Sequence, residues 1–297
     1  MIRNFMLAFL TLALAAESAQ AADLVRIVRL KLAAGDLATG IAAVEDYKRT
    51  TGVDGEYLDA VGWLARGAQM QGRTEQAKEL VAELHREIPK ENADLITPYG
   101  AAIEVEARLI AAKSGRAAAV RFLEQELARA GAVSLKSRIS KNINLLTITG
   151  KPAPALRGDA APSLAALKGK PVVLFFFAQG CGDCKASAPS LMRVWEKYKT
   201  KDVALIAVTR NYGTLDDKPA TPEEEKARIE KVWGEIYPGL AGVPVVIDTD
   251  TMIRYGASAT PTFALLDRKG IVRLYTPTRL SEAELSKQLD ALLAEPR

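Results

Sequence analysis

The chain has 297 residues, 48% of them hydrophobic and 26% charged, with a formal net charge of +4. That length suits two compact domains, and the composition excludes a disordered chain and a multispan membrane protein. Lys and Arg alternate with Asp and Glu throughout, a solvated mixed-charge surface that argues against nucleic acid as a partner.

The amino terminus reads as a targeting signal. Arg3 supplies positive charge, Phe5 to Ala16 is an uncharged apolar run, and Ala19-Gln20-Ala21 offers a small-x-small cleavage site. The run is shorter than the ~20 residues of a membrane span, so residues 1–21 are expected to be a cleaved signal peptide rather than an uncleaved anchor. The protein is therefore expected in the periplasm or another extracytoplasmic space.

Residues 22–150 carry a helical pattern rich in Ala, Leu, Glu, Lys and Arg. Three similar breaks punctuate it, Ala34-Gly35-Asp36, Gln71-Gly72-Arg73 and Ser114-Gly115-Arg116. They recur at roughly forty-residue intervals, the layout of stacked helix hairpins. The Gly turn and the period resemble tetratricopeptide-type repeats without their full consensus, and a plain helical bundle is the other arrangement open. Either would form an all-α domain with a face for a protein partner.

Lys151 to Ala161, with Pro152, Pro154 and Gly158, reads as a linker. Beyond it the pattern changes, and residues 151–297 are expected to form a second domain. Val172–Phe177, Val203–Val208 and Val243–Ile247 are apolar runs suited to strands buried on both faces. Thr262–Leu266 and Ile271–Tyr275 flank Asp267-Arg268-Lys269-Gly270 as a hairpin would. Helices are expected over Ala186–Tyr198, over Pro222–Tyr237 behind a Thr221/Glu224 capping box, and after Ser281 with Glu284. The sum is an α/β fold, one central mixed sheet flanked by helices.

The only cysteines are Cys181 and Cys184. In an exported protein such a pair is ordinarily a structural disulfide, but so short a loop would constrain little of the unfolded chain. Structural zinc needs four ligands, and the single His85 is far away in sequence. A redox pair remains. Gly180-Cys181-Gly182-Asp183-Cys184-Lys185 follows a buried strand at the mouth of a helix. There, partial positive charge and free N–H groups favour a thiolate on the first cysteine, and the second, one turn on, can resolve a mixed disulfide. Gly182 is expected to permit the tight entry turn.

Lys170 to Phe177, Cys181-Gly182-Asp183-Cys184 with Pro189, and Tyr255 to Phe263 together resemble the thioredoxin superfamily, most closely its extracytoplasmic TlpA/ResA-like branch. The resemblance spans roughly residues 152–294 and implies a thioredoxin-like fold. It further implies a cis Thr260–Pro261 bond beside the cysteines, substrate binding by the backbone before that proline, and an insertion over residues 210–241. It implies no bound cofactor and no metal. Its partners would be protein thiol or disulfide substrates and a separate electron-donor thiol protein. Three positions depart from the pattern: Gly180 replaces a frequent Trp, Phe175 a buried Asp, and Ser187 a Glu. Neither familiar proton acceptor for Cys184 is present.

The expected activity is thiol–disulfide exchange, with Cys181 attacking and Cys184 resolving. Gly180, Gly182, Asp183, Thr260 and Pro261 shape the site. Asp183 places a negative charge between the sulfurs, which opposes a very stable thiolate and favours reduction over oxidation of substrates. The rival reading is a binding or scaffold protein with a vestigial thioredoxin domain. His85 is read as a surface residue, and Glu223-Glu224-Glu225 as first-turn helix charge.

Overall fold

The computed structural model describes residues 24–158, 161–216 and 218–295. The expected signal peptide lies outside the described residues. The chain divides into two compact units, residues 1–135 and 136–297.

Among the described residues of the first unit six α-helices run in sequence: α1 (Leu24–Ala33), α2 (Leu37–Thr50), α3 (Gly55–Met70), α4 (Thr74–Glu87), α5 (Ile96–Ser114) and α6 (Arg116–Arg129). Gly35, Gly72 and Gly115, each at positive φ, turn α1 into α2, α3 into α4 and α5 into α6. Side chains other than glycine resist that backbone region, which is why the sequence breaks fall there. α3 is the central element of this unit. Tyr57, Leu58, Val61, Leu64 and Ala68 are buried with Val28 of α1, Val44 of α2, Leu84 of α4 and Val105 of α5 in one apolar cluster. His85 is less free than a surface residue, since its Nε2 lies 3.0 Å from Glu106 Oε2. That contact draws its pKa upward against the opposing effect of burial.

The second unit is built on β1 (Val172–Phe176), with all five residues buried. The helix α7 (Val133–Thr147), which starts just before the boundary, precedes it, and β1 is followed by α8 (Gly182–Tyr198) and β2 (Ala204–Thr209). A small hairpin, β3 (Thr214–Leu215) and β4 (Lys218–Pro219), leads to α9 (Pro222–Ile236), β5 (Val245–Ile247) and α10 (Thr249–Arg254). β6 (Thr262–Leu266), β7 (Val272–Thr276) and α11 (Glu282–Ala294) complete it. The sheet order is β5-β2-β1-β6-β7, with β1 parallel to β2 and antiparallel to β6. This is the thioredoxin-like fold.

Side chains alternate across β1. Val173, Phe175 and Phe177 pack with Leu191 and Val194 of α8 and Leu285 and Leu289 of α11. Val172, Leu174 and Phe176 pack on the other face with Met252, Tyr255 and Ile148. Both capping boxes expected from sequence form, at Thr221/Glu224 and at Ser281/Glu284. The short helix α10 was not anticipated; Asp248 caps it by accepting from the Thr251 N–H at 2.6 Å.

The division into compact units does not fall at the pattern change near 150/151 but at 135/136. Within the second unit, Asn144 of α7 donates to the Arg254 carbonyl at 2.9 Å, and Ile148 is buried in the core. A Cβ at Gly256 would overlap the backbone of Lys141, so α7 sits close against that turn. Nor is the stretch after Lys151 a free linker. Gly150 and Ala153 donate to Val272 and Gly270 carbonyls, and the Val272 N–H donates back to Lys151. Pro152 bridges Ile271 at the edge of the sheet, where its missing N–H costs no ladder bond. Tyr255 Oη then donates to the Pro154 carbonyl at 2.6 Å.

These contacts set an expectation for two fragments. Residues 136–297 should fold on their own, whereas residues 151–297 should be less stable by about 3 kcal/mol, the scale of losing a large buried side chain with its hydrogen-bonded neighbours. Denaturant titration of the two would show it. Equal midpoints would mean that the segment 136–150 is an ornament of the fold.

Candidate active site

β1 ends at Phe176, and a short turn carries the chain to Cys181, the N-cap residue of α8. Cys181 Sγ accepts the Cys184 N–H at 3.0 Å, the role usually given to a Ser or Asp oxygen. The same sulfur lies 3.2 Å from the Thr260 carbonyl oxygen. Cys181 and Cys184 are joined as a disulfide with their Cα atoms 5.2 Å apart. The two cysteines differ in access: Cys181 is partly exposed and Cys184 is fully buried.

Thr260 and Pro261 precede β6, the neighbour of β1, and their peptide bond is cis. The sheet order thus brings two distant sequence motifs to one end of adjacent strands. Gly180, Gly182 and Asp183 are exposed around the sulfurs. Gly182 departs from expectation. Its φ is not positive and an added Cβ would meet nothing, so the entry turn does not demand glycine there.

Asp183 is not a lone negative charge. Arg279 Nη1 stands 3.7 Å from Asp183 Oδ1, with both side chains more than half exposed. This guanidinium comes from the loop before α11 and offsets part of the repulsion that Asp183 exerts on a Cys181 thiolate. No local sequence pattern connects residues 183 and 279.

Beneath the motif the environment is aromatic. Phe175 stacks on Phe177 at 5.8 Å and meets Phe263 at 5.2 Å and Tyr237 at 5.8 Å, in the cluster that also holds Cys184. Tyr237 Oη is buried without a hydrogen-bond partner, and burial pushes its pKa well up. Ser187 is buried and its hydroxyl donates to the Asp183 carbonyl at 2.7 Å. Phe175 and Ser187 therefore offer Cys184 no carboxylate.

Near the motif a buried carboxylate belongs to Glu225, only 1% exposed. It accepts from the Tyr212 and Gly213 N–H groups at 2.6 and 2.7 Å and from Gln179 Nε2 at 3.2 Å. Glu225 thereby ties the loop after β2 to Gln179, two residues before Cys181. Reading Glu223-Glu224-Glu225 as uniform first-turn charge missed this. The available signal was spacing: Glu225, Ile229 and Val232 form the buried stripe of α9 at i, i+4 and i+7.

Residues 149–292 match the Redoxin family. The thioredoxin-like protein YneN of Bacillus subtilis (strain 168) is 26% identical over 129 residues, covering 43% of this chain and 68% of YneN. Among solved structures, a thiol-disulfide isomerase from Corynebacterium glutamicum is 26% identical and covers 48% of this chain and 98% of its own, with a TM-score of 0.39. A secreted Mycobacterium tuberculosis disulfide oxidoreductase homologous to E. coli DsbE is 25% identical over 48% of this chain and 96% of its own, with a TM-score of 0.34. The Redoxin match and the YneN likeness support the thioredoxin superfamily and chemistry of the thiol–disulfide oxidoreductase type.

Replacing Arg279 with Ala should leave Asp183 unopposed and raise the Cys181 pKa. Alkylation of the reduced protein at neutral pH should then slow by about twofold, the scale of an exposed ion pair. The double variant Asp183→Asn/Arg279→Ala should recover the wild-type rate. An unchanged rate in the single variant would show that Arg279 does not act on the sulfur.

Proposed function

We propose that this protein is an extracytoplasmic thiol–disulfide oxidoreductase that reduces protein disulfides through Cys181 and Cys184. The observation that carries the reading is the partly exposed Cys181 sulfur at the mouth of α8, bonded to the Cys184 N–H and 3.2 Å from the Thr260 carbonyl. In the reduced protein the N–H that now points at Sγ would stabilise a Cys181 thiolate. That thiolate attacks one sulfur of a substrate disulfide, forming a mixed disulfide and releasing the other sulfur as a thiolate, which takes up a proton. Cys184 then loses its proton and attacks Cys181 Sγ, freeing the second substrate thiol and closing the protein disulfide. Two electrons pass to the substrate, and a separate dithiol protein restores them to the pair.

Thr260 and Pro261 form the ledge against which the substrate backbone would lie, with Gly180, Gly182 and Asp183 leaving the sulfur approachable. The reductive direction rests on Asp183, whose charge limits thiolate stability; Arg279 makes that bias smaller than an unpaired acid would. Export is supported by the charge, apolar run and cleavage pattern of residues 1–21. Among the described residues no helix is long and apolar enough to cross a membrane. The helical unit would carry a protein partner, since paired helices expose extended faces.

Insulin reduction by the wild type and by Cys181→Ser and Cys184→Ser tests the reading. Both variants should lose at least about a hundredfold in rate, because neither half-reaction can finish alone. Cys184→Ser alone should accumulate mixed disulfides. Equal activity of all three proteins would give the function to the scaffold reading instead.

A further inference from the structure

A cleft of about 430 Å³ adjoins the cysteine motif and shares no residue with the Thr260–Pro261 ledge. Its lining includes Ala178, Gln179, Gly180 and Lys185 from around the cysteine turn, and Tyr212, Asp216 and Arg228 from the segment after β2. The sheet order explains its place. The cleft opens on the β2 side of β1, and the ledge lies on the β6 side. A chain lying across Cys181 would leave the ledge and enter the cleft.

The chemistry of the cleft is specific. Gln179 is 8% exposed, donates to Glu225, and leaves its own Oε1 buried without a partner. Such an acceptor calls for a donor N–H, which a peptide backbone has. The charge is uneven. Asp216 pairs with Arg228 at 2.8 Å, and the Glu225 carboxylate is occupied by its three donors. Lys185 has no carboxylate partner among the described residues, and Arg210, outside the lining, stacks 4.1 Å over the Tyr212 ring. Among the described lining residues two cations, Lys185 and Arg228, stand against one carboxylate, Asp216.

We propose that this cleft is a second substrate subsite, which takes the peptide flank of the reactive disulfide and prefers a flank carrying an acidic side chain. The proposal rests on the oxidoreductase reading and names the substrate class for it. Lys185 would meet the carboxylate, and Gln179 Oε1 would accept a backbone N–H from the same segment.

Two synthetic peptides test it, each with one intramolecular disulfide and identical except for Glu or Lys beside the reactive cysteine. Pre-reduced protein is mixed with each, and the rate of its oxidation to the Cys181–Cys184 disulfide gives a second-order constant. The peptide gains the two electrons and two protons that the protein pair loses. The ratio of the two constants cancels any effect of a variant on Cys181 itself. At low salt the Glu peptide should react about threefold faster, and added salt should shrink the ratio. Lys185→Glu should bring the ratio to one or below. Asp216→Asn should raise it by releasing Arg228, and Asn tolerates the positive φ that Asp216 holds. Equal rates for both peptides, or a ratio that neither variant moves, would overturn the subsite while leaving the oxidoreductase reading intact. If neither peptide oxidised the protein, the oxidoreductase reading would fail, and the subsite with it.

Discussion

The site depends on one contact, the Cys184 N–H pointing at Cys181 Sγ across the first turn of α8. A helix start leaves N–H groups without intrahelical partners, and here a sulfur fills the place of the usual capping oxygen. The buried strand β1 delivers the chain to that point, and its pairing with β6 brings Thr260 alongside. Sheet, cap and ledge converge on one sulfur. The residues that hold them there do so by burial; the sulfur itself remains within reach of solvent.

The second cysteine stands under different physics. Cys184 is buried in a cluster that includes Phe175, Phe177 and Phe263. Burial among apolar groups disfavours a thiolate, so in the proposed cycle resolution would depend on the mixed disulfide bringing a leaving group close rather than on a standing negative charge. Phe175 and Ser187 stand where the resemblance to thioredoxin- and ResA-like proteins implies acidic groups for this step. In their neighbourhood Glu225 is committed to loop N–H groups and Gln179, which makes it a positioning residue. Its carboxylate holds the wall of the adjoining cleft in register with the cysteine turn.

What could be read from the sequence was whatever short-range chemistry dictates. The glycine turns at Gly35, Gly72 and Gly115, the capping boxes at Thr221 and Ser281, and the strand–cysteine–helix order all follow from local rules. The features that escaped depend on distant partners. Pro152 and Pro154 carry a linker signature, yet the edge of β7 accepts the segment because its neighbours Gly150 and Ala153 keep their N–H groups. Helical periodicity assigned α7 to the helical region, although Asn144 bonds the Arg254 carbonyl and Ile148, just beyond the helix, is buried in the second core. Arg279 reaches Asp183 across the fold, and Glu225 hides within a run of acidic residues. In each case the local pattern was real and tertiary packing decided its use.

The ionisation of Cys181 tests the account most directly. Thiolate absorbance followed against pH in reduced Cys184→Ser protein isolates that sulfur, since no third cysteine is present. The backbone N–H of residue 184 survives the substitution, so the stabilising contact is retained. The account predicts a Cys181 pKa clearly below the ~8.5 of a free cysteine, lowered by the helix mouth and moderated by Asp183. A value at or above ~8.5 would contradict it, because the cap would then not be stabilising the attacking sulfur.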